Sequence, residues 1–409
     1  MATRCSSRRC VGSDIRSPGP VTVGIVRVLL VAETFTPAVN GVVNSVRQVA
    51  DQLAARGHEP IVVAPSGSTY RGATGHRIEV ITVPSVTLPG YRGLSVARPS
   101  VDLAPVLDDV APDVVHLASP VLLGWAAVQA AHQRGIGTVA VFQTDICAFA
   151  ARYGLRMNAP LWAWLRRLHN TADLTLAPSS ATAYQLRRHG IGPIAMWTRG
   201  VDRVLFDPDR RDAAWRAEFA AEGELLVGFV GRLAPEKRVE LLEPIASMPG
   251  VRLVVVGDGP RRRSLQRLMP QAQFTGQLTG PDLGRAMASL DLLVHPGADE
   301  TFCQVVQEAL CAGVPVIAAA KGGPLDLVRH GDNGWLWAGD DPEVLAAQVA
   351  AVRDDPEGAA EVRGRARASV SARTWSRVTD QLIAHYHRVL AGSRRDAVAR
   401  MRRPRGRVS

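Results

Sequence analysis

Lysine is almost missing from this chain: among 48 basic residues only Lys237 and Lys321 are lysines. Wherever chemistry needs a compact ammonium, there are two places to look. Cysteine is scarce too, with five in 409 residues, at positions 5, 10, 147, 303 and 311. An odd count without zinc-type spacing excludes a disulfide framework and fits reduced thiols in a cytoplasmic protein. No apolar run reaches the ~18 residues that span a bilayer. The longest, Val121 to Ala131, is broken by Gly124 and Gln129 and reads as a buried helix. Nor is there an uninterrupted apolar core before Arg27, so no secretory signal is expected.

What is present is a soluble globular composition, 46% apolar and 21% charged, long enough for two or three domains. The net charge of +10 resembles a nucleic-acid binder until it is located. Residues 1–27 hold five arginines and one aspartate, residues 394–409 hold seven and one, and the body between is neutral. A neutral body argues against a nucleic-acid partner. The basic ends read as disordered tails, either solvated without a role or held near anionic lipid at about 1 kcal/mol per basic residue.

Apolar strands alternate with helices along the first half. Strands are expected at 27–32, 61–64, 78–83, 114–117, 138–142 and 174–177, and helices at 42–56, 121–134, 159–171 and 180–189. The second half repeats the rhythm, with strands at 225–230, 251–256, 291–295 and 314–319. Its helices are expected near 237–246, 260–268, 281–289 and 302–312. Strands spaced by helices imply an α/β chain with parallel sheets covered on both faces. Two doubly wound, Rossmann-like domains joined around Thr198 to Pro208 would place a ligand in the cleft at their strand ends. A last helix is expected from Trp375 to about Leu390.

The chemistry concentrates in His295 to Gly323. Glu300 and Glu308 flank a short apolar helix, and eight helical residues rise about 12 Å. Carboxylates flanking one glycosidic bond sit about 5–9.5 Å apart, so this spacing suits the sugar and ribose of a nucleotide sugar rather than a hydrolase pair. Gly231-Arg232-Leu233-Ala234-Pro235-Glu236-Lys237 follows a strand and suits a diphosphate, through backbone amides, a guanidinium fork and an ammonium. The alternative is ordinary ion pairing with Glu236 or Glu240. Gly257-Asp258-Gly259 ends a strand in a turn that could carry a nucleotide base or be a plain connector. Asn40-Gly41 gives the first helix a flexible start. His116 and Gln143-Thr144-Asp145 lie at strand ends; His116 reads as a sugar contact or a core histidine, and Asp145 as the better site candidate. Asp207-Pro208-Asp209 looks like an acidic metal motif but sits in a Pro-containing linker and reads as a turn. Trp162, Trp164, Leu165 and Leu168, beside Arg166, Arg167 and His169, form either a membrane-facing or a core-packed stripe.

These motifs together resemble the retaining GT-B glycosyltransferases of family four, over about 26–390. The wording AETFTPAVNGVVNSV, DVVHLASPVLLG, FQTD, GFVGRLAPEK and ETFCQVVQEAL is similar to actinobacterial GDP-mannose-dependent α-mannosyltransferases acting on lipid acceptors. The resemblance implies an extension over 1–24, an acceptor domain over 25–198 and a nucleotide-sugar domain over 199–374. A helix over 375–392 would return to the first domain, ahead of a disordered tail over 393–409. It implies a metal-independent enzyme in which Arg232 and Lys237 hold the donor diphosphate. Glu300 would bind hydroxyls of the transferred sugar and Glu308 the ribose. Phe302, Cys303 and Gln304 would contribute backbone amides, Asp258 would lie at the donor, and Gly41 would approach the diphosphate. Related phosphatidylinositol mannosyltransferases carry a cleft histidine where this chain has Ala118, so His116, Gln143 or Asp145 would have to cover that role. The donor would be GDP-mannose, the acceptor a lipid or glycolipid, and the location the inner face of the plasma membrane. A UDP-sugar donor, or a nucleotide-sugar epimerase on the same scaffold, are the competing readings.

Overall fold

The computed structural model describes residues 24–38, 40–87, 95–152 and 158–402. Apart from Gly24, the N-terminal extension lies outside these residues, as do Cys5, Cys10 and the end of the tail, 403–409. The first domain is built on the strands β1 (Arg27–Ala32), β2 (Glu59–Ala64), β3 (Tyr70–Arg71), β4 (Arg77–Thr82), β5 (Ser85–Thr87), β6 (Ser95–Ala97), β7 (Val114–Ala118), β8 (Gly137–Val141), β9 (Leu174–Ala177) and β10 (Ile194–Met196). Eight of them form one sheet in the order β10-β9-β8-β7-β1-β2-β4-β3, while β5 and β6 pair as a separate hairpin. All pairs in the large sheet are parallel except β3 with β4. Runs such as RVLLVA have no polar alternation because helices cover both faces, and β7, β8 and β9 are buried along their whole length.

The second domain carries β11 (Leu225–Val230), β12 (Val251–Val256), β13 (Gln273–Gly276), β14 (Leu292–His295), β15 (Val316–Ala319) and β16 (Gly334–Trp337). Their order is β13-β12-β11-β14-β15-β16, every pair parallel. Two doubly wound sheets, one in each half of the chain, are the architecture the strand–helix rhythm implied. The sequence reading missed β3, β5, β6, β10, β13 and β16, all of two to four residues; β3, β10, β13 and β16 are edges of the two large sheets. Too short for a periodicity signal, they are fixed by the neighbour they pair with.

One expected helix is not there. Residues 237–246 fold as 3-10 turns at Pro235–Lys237 and Val239–Leu242 and a single α-turn at Glu243–Ala246. Arg238 takes a left-handed φ of 53° and Pro244 enters at the start of the last piece. The apolar spacing of Val239, Leu242 and Ile245 that suggested a helix still buries these side chains. The diphosphate-type turn therefore has no helix dipole behind it.

The last helix, Trp375–Arg402, crosses back to the first domain. Trp375, Val378, Leu382, Tyr386 and Val389 enter the core formed by helix Gly41–Ala54 and β1, β7 and β8. Each such side chain contributes about 1.5–3 kcal/mol by leaving water. Trp197 Nε1 donates to Val378 O at 2.8 Å, and Arg56 pairs with Asp380 at 2.7 Å. The disordered tail expected from residue 393 is instead helical as far as Arg402, where the described residues end.

The aromatic stripe on helix Asn158–Thr171 is packed, not presented. Leu165, Leu168 and His169 are buried, Trp162 stacks on His189 with ring centroids 3.7 Å apart, and Trp164 packs against Trp125. Among the described residues no helix is long and apolar enough to cross a membrane.

Candidate functional site

The strand ends of the two sheets meet where Thr301 Oγ1 donates to Gln143 O at 2.7 Å. Thr182 Oγ1 donates to Thr301 O at 3.1 Å, and Ser180 N to Asp326 Oδ2 at 2.6 Å. The loop Gly297–Cys303 thus lies against the first domain, and Glu300 sits beside this seam.

Lys237 Nζ donates to Glu300 Oε1 at 2.5 Å, and His295 Nε2 lies 3.0 Å from the same oxygen. Burial pushes the Glu300 carboxyl up, but the Lys237 charge and the His295 contact outweigh it and hold the group far below the usual carboxylate range. Lys237 is pulled down by burial and raised more by Glu300, ending above its ordinary value. The pair is ionised, so Glu300 cannot act as a proton donor. Both recorded bonds fall on Oε1. Lys237 has two further donors and Glu300 a second oxygen.

Two backbone clamps hold this geometry. A Cβ on Gly323 would lie 2.2 Å from Phe302 O, and Gly323 N donates to Glu300 O at 2.8 Å. The Gly322-Gly323 turn thus fixes the Glu300–Phe302 loop by close approach. A Cβ on Gly257 would lie 1.9 Å from Gly231 O, and Leu233 N donates to Asp258 O at 2.9 Å. The turns after β11 and β12 therefore interlock, which neither motif disclosed alone. Asp258 accepts from Gly259 N and pairs with Arg262, stabilising the turn. Arg232 is half-exposed at the mouth and pairs with Glu236, one of the ordinary ion pairs weighed from sequence.

The helix that carries Glu308 is Gln304–Cys311. Glu300 precedes it in a loop, so a helical rise does not measure the Glu300–Glu308 separation, and the spacing argument fails. Their partners separate the roles instead. Burial pushes Glu308 up to about 7, against the Gln304 hydrogen bond and the Arg199 charge. Buried Cys303, at φ 73°, precedes the helix, and no side chain caps it. Val306 N donates to Cys303 O at 3.2 Å, which leaves the amides of Gln304 and Val305 at the helix start to face an anion. Buried Phe302 supports the loop from below.

Arg199 was missed. It is buried in the linker, where burial brings its guanidinium down to about 10 while the Glu308 charge opposes that fall. Arg199 donates to Gly41 O, at the start of helix Gly41–Ala54, and its own carbonyl accepts from Gln307 Nε2 at 3.0 Å. It ties the Gly41 loop to the Glu308 helix. No motif marks it, because both contacts are over 100 residues away in the chain.

The first-domain candidates divide. His116 is a core histidine, not a cleft residue. It is 2% exposed, lies 2.8 Å through Nδ1 from Tyr386 Oη, and burial takes it down to about 3. The returning helix covers it, which the sequence around 116 could not reveal. Asp145 accepts from Ala148 N at 2.9 Å and Gln185 Nε2 at 2.7 Å, capping helix Ile146–Arg152. Asp207 accepts from Asp209 N and pairs with Arg367 at 2.6 Å, a turn and not a metal motif. Lys321 is exposed beside Asp299, 3.5 Å away.

Among the described residues one cluster has metal-binding side-chain types: His295, Glu300 and Cys303. Lys237 already supplies a cation to its carboxylate, and burial together with the Glu300 charge holds the Cys303 thiol well above its ordinary value, hence protonated. A divalent ion there would compete with Lys237 for that carboxylate.

The family model "Glycosyltransferase Family 4" matches residues 39–204, and "Glycosyl transferases group 1" matches 211–369. The chain is 44% identical, over 90% of each chain, to a GDP-mannose-dependent alpha-mannosyltransferase of Corynebacterium glutamicum. It is 46% identical to one of Mycolicibacterium smegmatis, covering 89% of this chain and 98% of the relative. A GDP-mannose-dependent alpha-(1-6)-phosphatidylinositol dimannoside mannosyltransferase of Mycobacterium tuberculosis is 26% identical, over 88% of this chain and 95% of its own. Among solved structures, sucrose-phosphate synthase from Thermosynechococcus elongatus superposes with a TM-score of 0.77 at 22% identity, over 90% of this chain and all of that one.

Proposed function

The chain belongs to the glycosyltransferases these families comprise, and on that premise we propose that it transfers mannose from GDP-mannose to a glycolipid acceptor, retaining the anomeric configuration. The observation that carries the reading is the ionised Lys237–Glu300 pair, set between the interlocked glycine turns and the open start of helix Gln304–Cys311. A positive group and free amides converge where a nucleotide diphosphate would lie. The free oxygen of Glu300 accepts from hydroxyls of the transferred sugar, and Glu308 accepts from the ribose.

In the reaction the bond from the sugar's anomeric carbon to the donor phosphate oxygen breaks. The acceptor hydroxyl oxygen bonds to that carbon from the same face, and its proton passes to the departing phosphate. Charge grows on that phosphate, and Lys237 and Arg232 stabilise it; such preorganised stabilisation is the largest catalytic contribution available here. The metal's usual role falls to these cations, so no metal is needed. The dimannoside-specific relative and the arginines beyond residue 393 support a lipid acceptor met at the inner membrane face.

The test is incubation of the chain with GDP-mannose, membrane glycolipids and soluble sugars, followed by NMR of the product linkage. An α-mannosyl glycolipid is expected. A β-linkage overturns retention, and mannose found only on soluble sugars overturns the lipid acceptor.

A further inference from the structure

Gln143 is 7% exposed, yet neither its side-chain oxygen nor its nitrogen has a hydrogen-bond partner. It follows the carboxyl end of β8, and its backbone carbonyl is the one that accepts from Thr301, the residue after Glu300. The orphaned amide therefore lies at the seam between the domains, one hydrogen bond from the loop that carries the sugar-site carboxylate. The two other candidates from these strand ends are committed: His116 to Tyr386, and Asp145 to Gln185 and its helix. Ala118, opposite Val141 on the neighbouring strand, offers no polar group.

A buried amide without partners is less stable than an apolar side chain of the same size, and folded proteins keep few of them. We infer that Gln143 is a specificity-determining residue whose carboxamide hydrogen-bonds hydroxyls of the transferred hexose from the first-domain side, opposite Glu300. The inference rests on the nucleotide-sugar reading above. A carboxamide offers one acceptor and two donors without charge. That matches neighbouring sugar hydroxyls, whereas a phosphate would call for a cation. The sugar site then has one wall from each domain.

The test is equilibrium binding of GDP and of GDP-mannose to the full chain, wild type and Gln143→Leu, with Tm measured alongside. Expected are an unchanged or higher Tm, an unchanged affinity for GDP, and about threefold to tenfold weaker GDP-mannose, the scale of one neutral hydrogen bond. Equal effects on GDP and GDP-mannose, or no effect on either, overturn the inference, as does a fall in Tm with unchanged sugar discrimination. If Gln143→Leu fails to fold, Gln143→Glu keeps the size and removes the donor, and the same comparison decides. A wild type that prefers another nucleotide sugar overturns the donor assignment before any variant is made. The comparison is then run with the sugar it binds, and the same outcomes decide.

Discussion

Lys237 and Glu308 carry the clearest residue-scale consequences. On the proposed reading, Lys237→Met removes the charge that meets the departing phosphate. We expect kcat to fall about a hundredfold or more, as when a preorganised stabilising group is deleted, with folding checked by circular dichroism. Near-normal turnover would remove Lys237 from the diphosphate site. Glu308, held up to about 7 from an ordinary 4.5, binds its proton more tightly in the folded chain. Its contribution to stability is therefore full at low pH and lost as pH rises through about 7. On the proposed reading Glu308 accepts from the ribose, and its ionised form is the stronger acceptor, so donor affinity should rise over the same window. Glu308→Gln should weaken the donor and flatten both dependences, as titrations between pH 5.5 and 8.5 would register. Lys237, Glu300 and Glu308 were legible because each sits in a short motif of distinctive type. Arg199 was not, because its partners lie over 100 residues away; Gln143 was one of three residues set against the missing histidine, and its lack of a side-chain partner shows only in the fold.

Elements buried on both faces, such as β1, β7, β11 and β12, could be read from unbroken apolar runs, and most helices from their period. The segment after Lys237 was misread because apolar spacing reports which side chains face the core, not whether the backbone is α or 3-10. The returning helix Trp375–Arg402 decided the fate of His116, since its Tyr386 covers the imidazole. Tyr386→Phe leaves the buried Nδ1 unpaired. A loss of about 1–3 kcal/mol is expected, seen as a Tm lower by about 2–10 °C. The turnover of the folded fraction should not change. A fall in kcat at unchanged Tm would return His116 to the cleft chemistry.

For the whole molecule, two Rossmann-like sheets, each from one half of the chain, were visible in the alternation of strands and helices. Their mutual placement was not, because it rests on single polar contacts such as Thr301 to Gln143 and Ser180 to Asp326. Those contacts put the Glu300 loop against the first domain at one seam. The chemistry asked of that seam is transfer supported by protein cations. The most direct test is the initial rate of sugar transfer to a glycolipid acceptor from GDP-mannose and from UDP-glucose, each with and without excess chelator. Transfer from GDP-mannose, undiminished by the chelator and absent with UDP-glucose, is the predicted result. Transfer only from UDP-glucose, or activity abolished by the chelator and restored by a divalent ion, would contradict it.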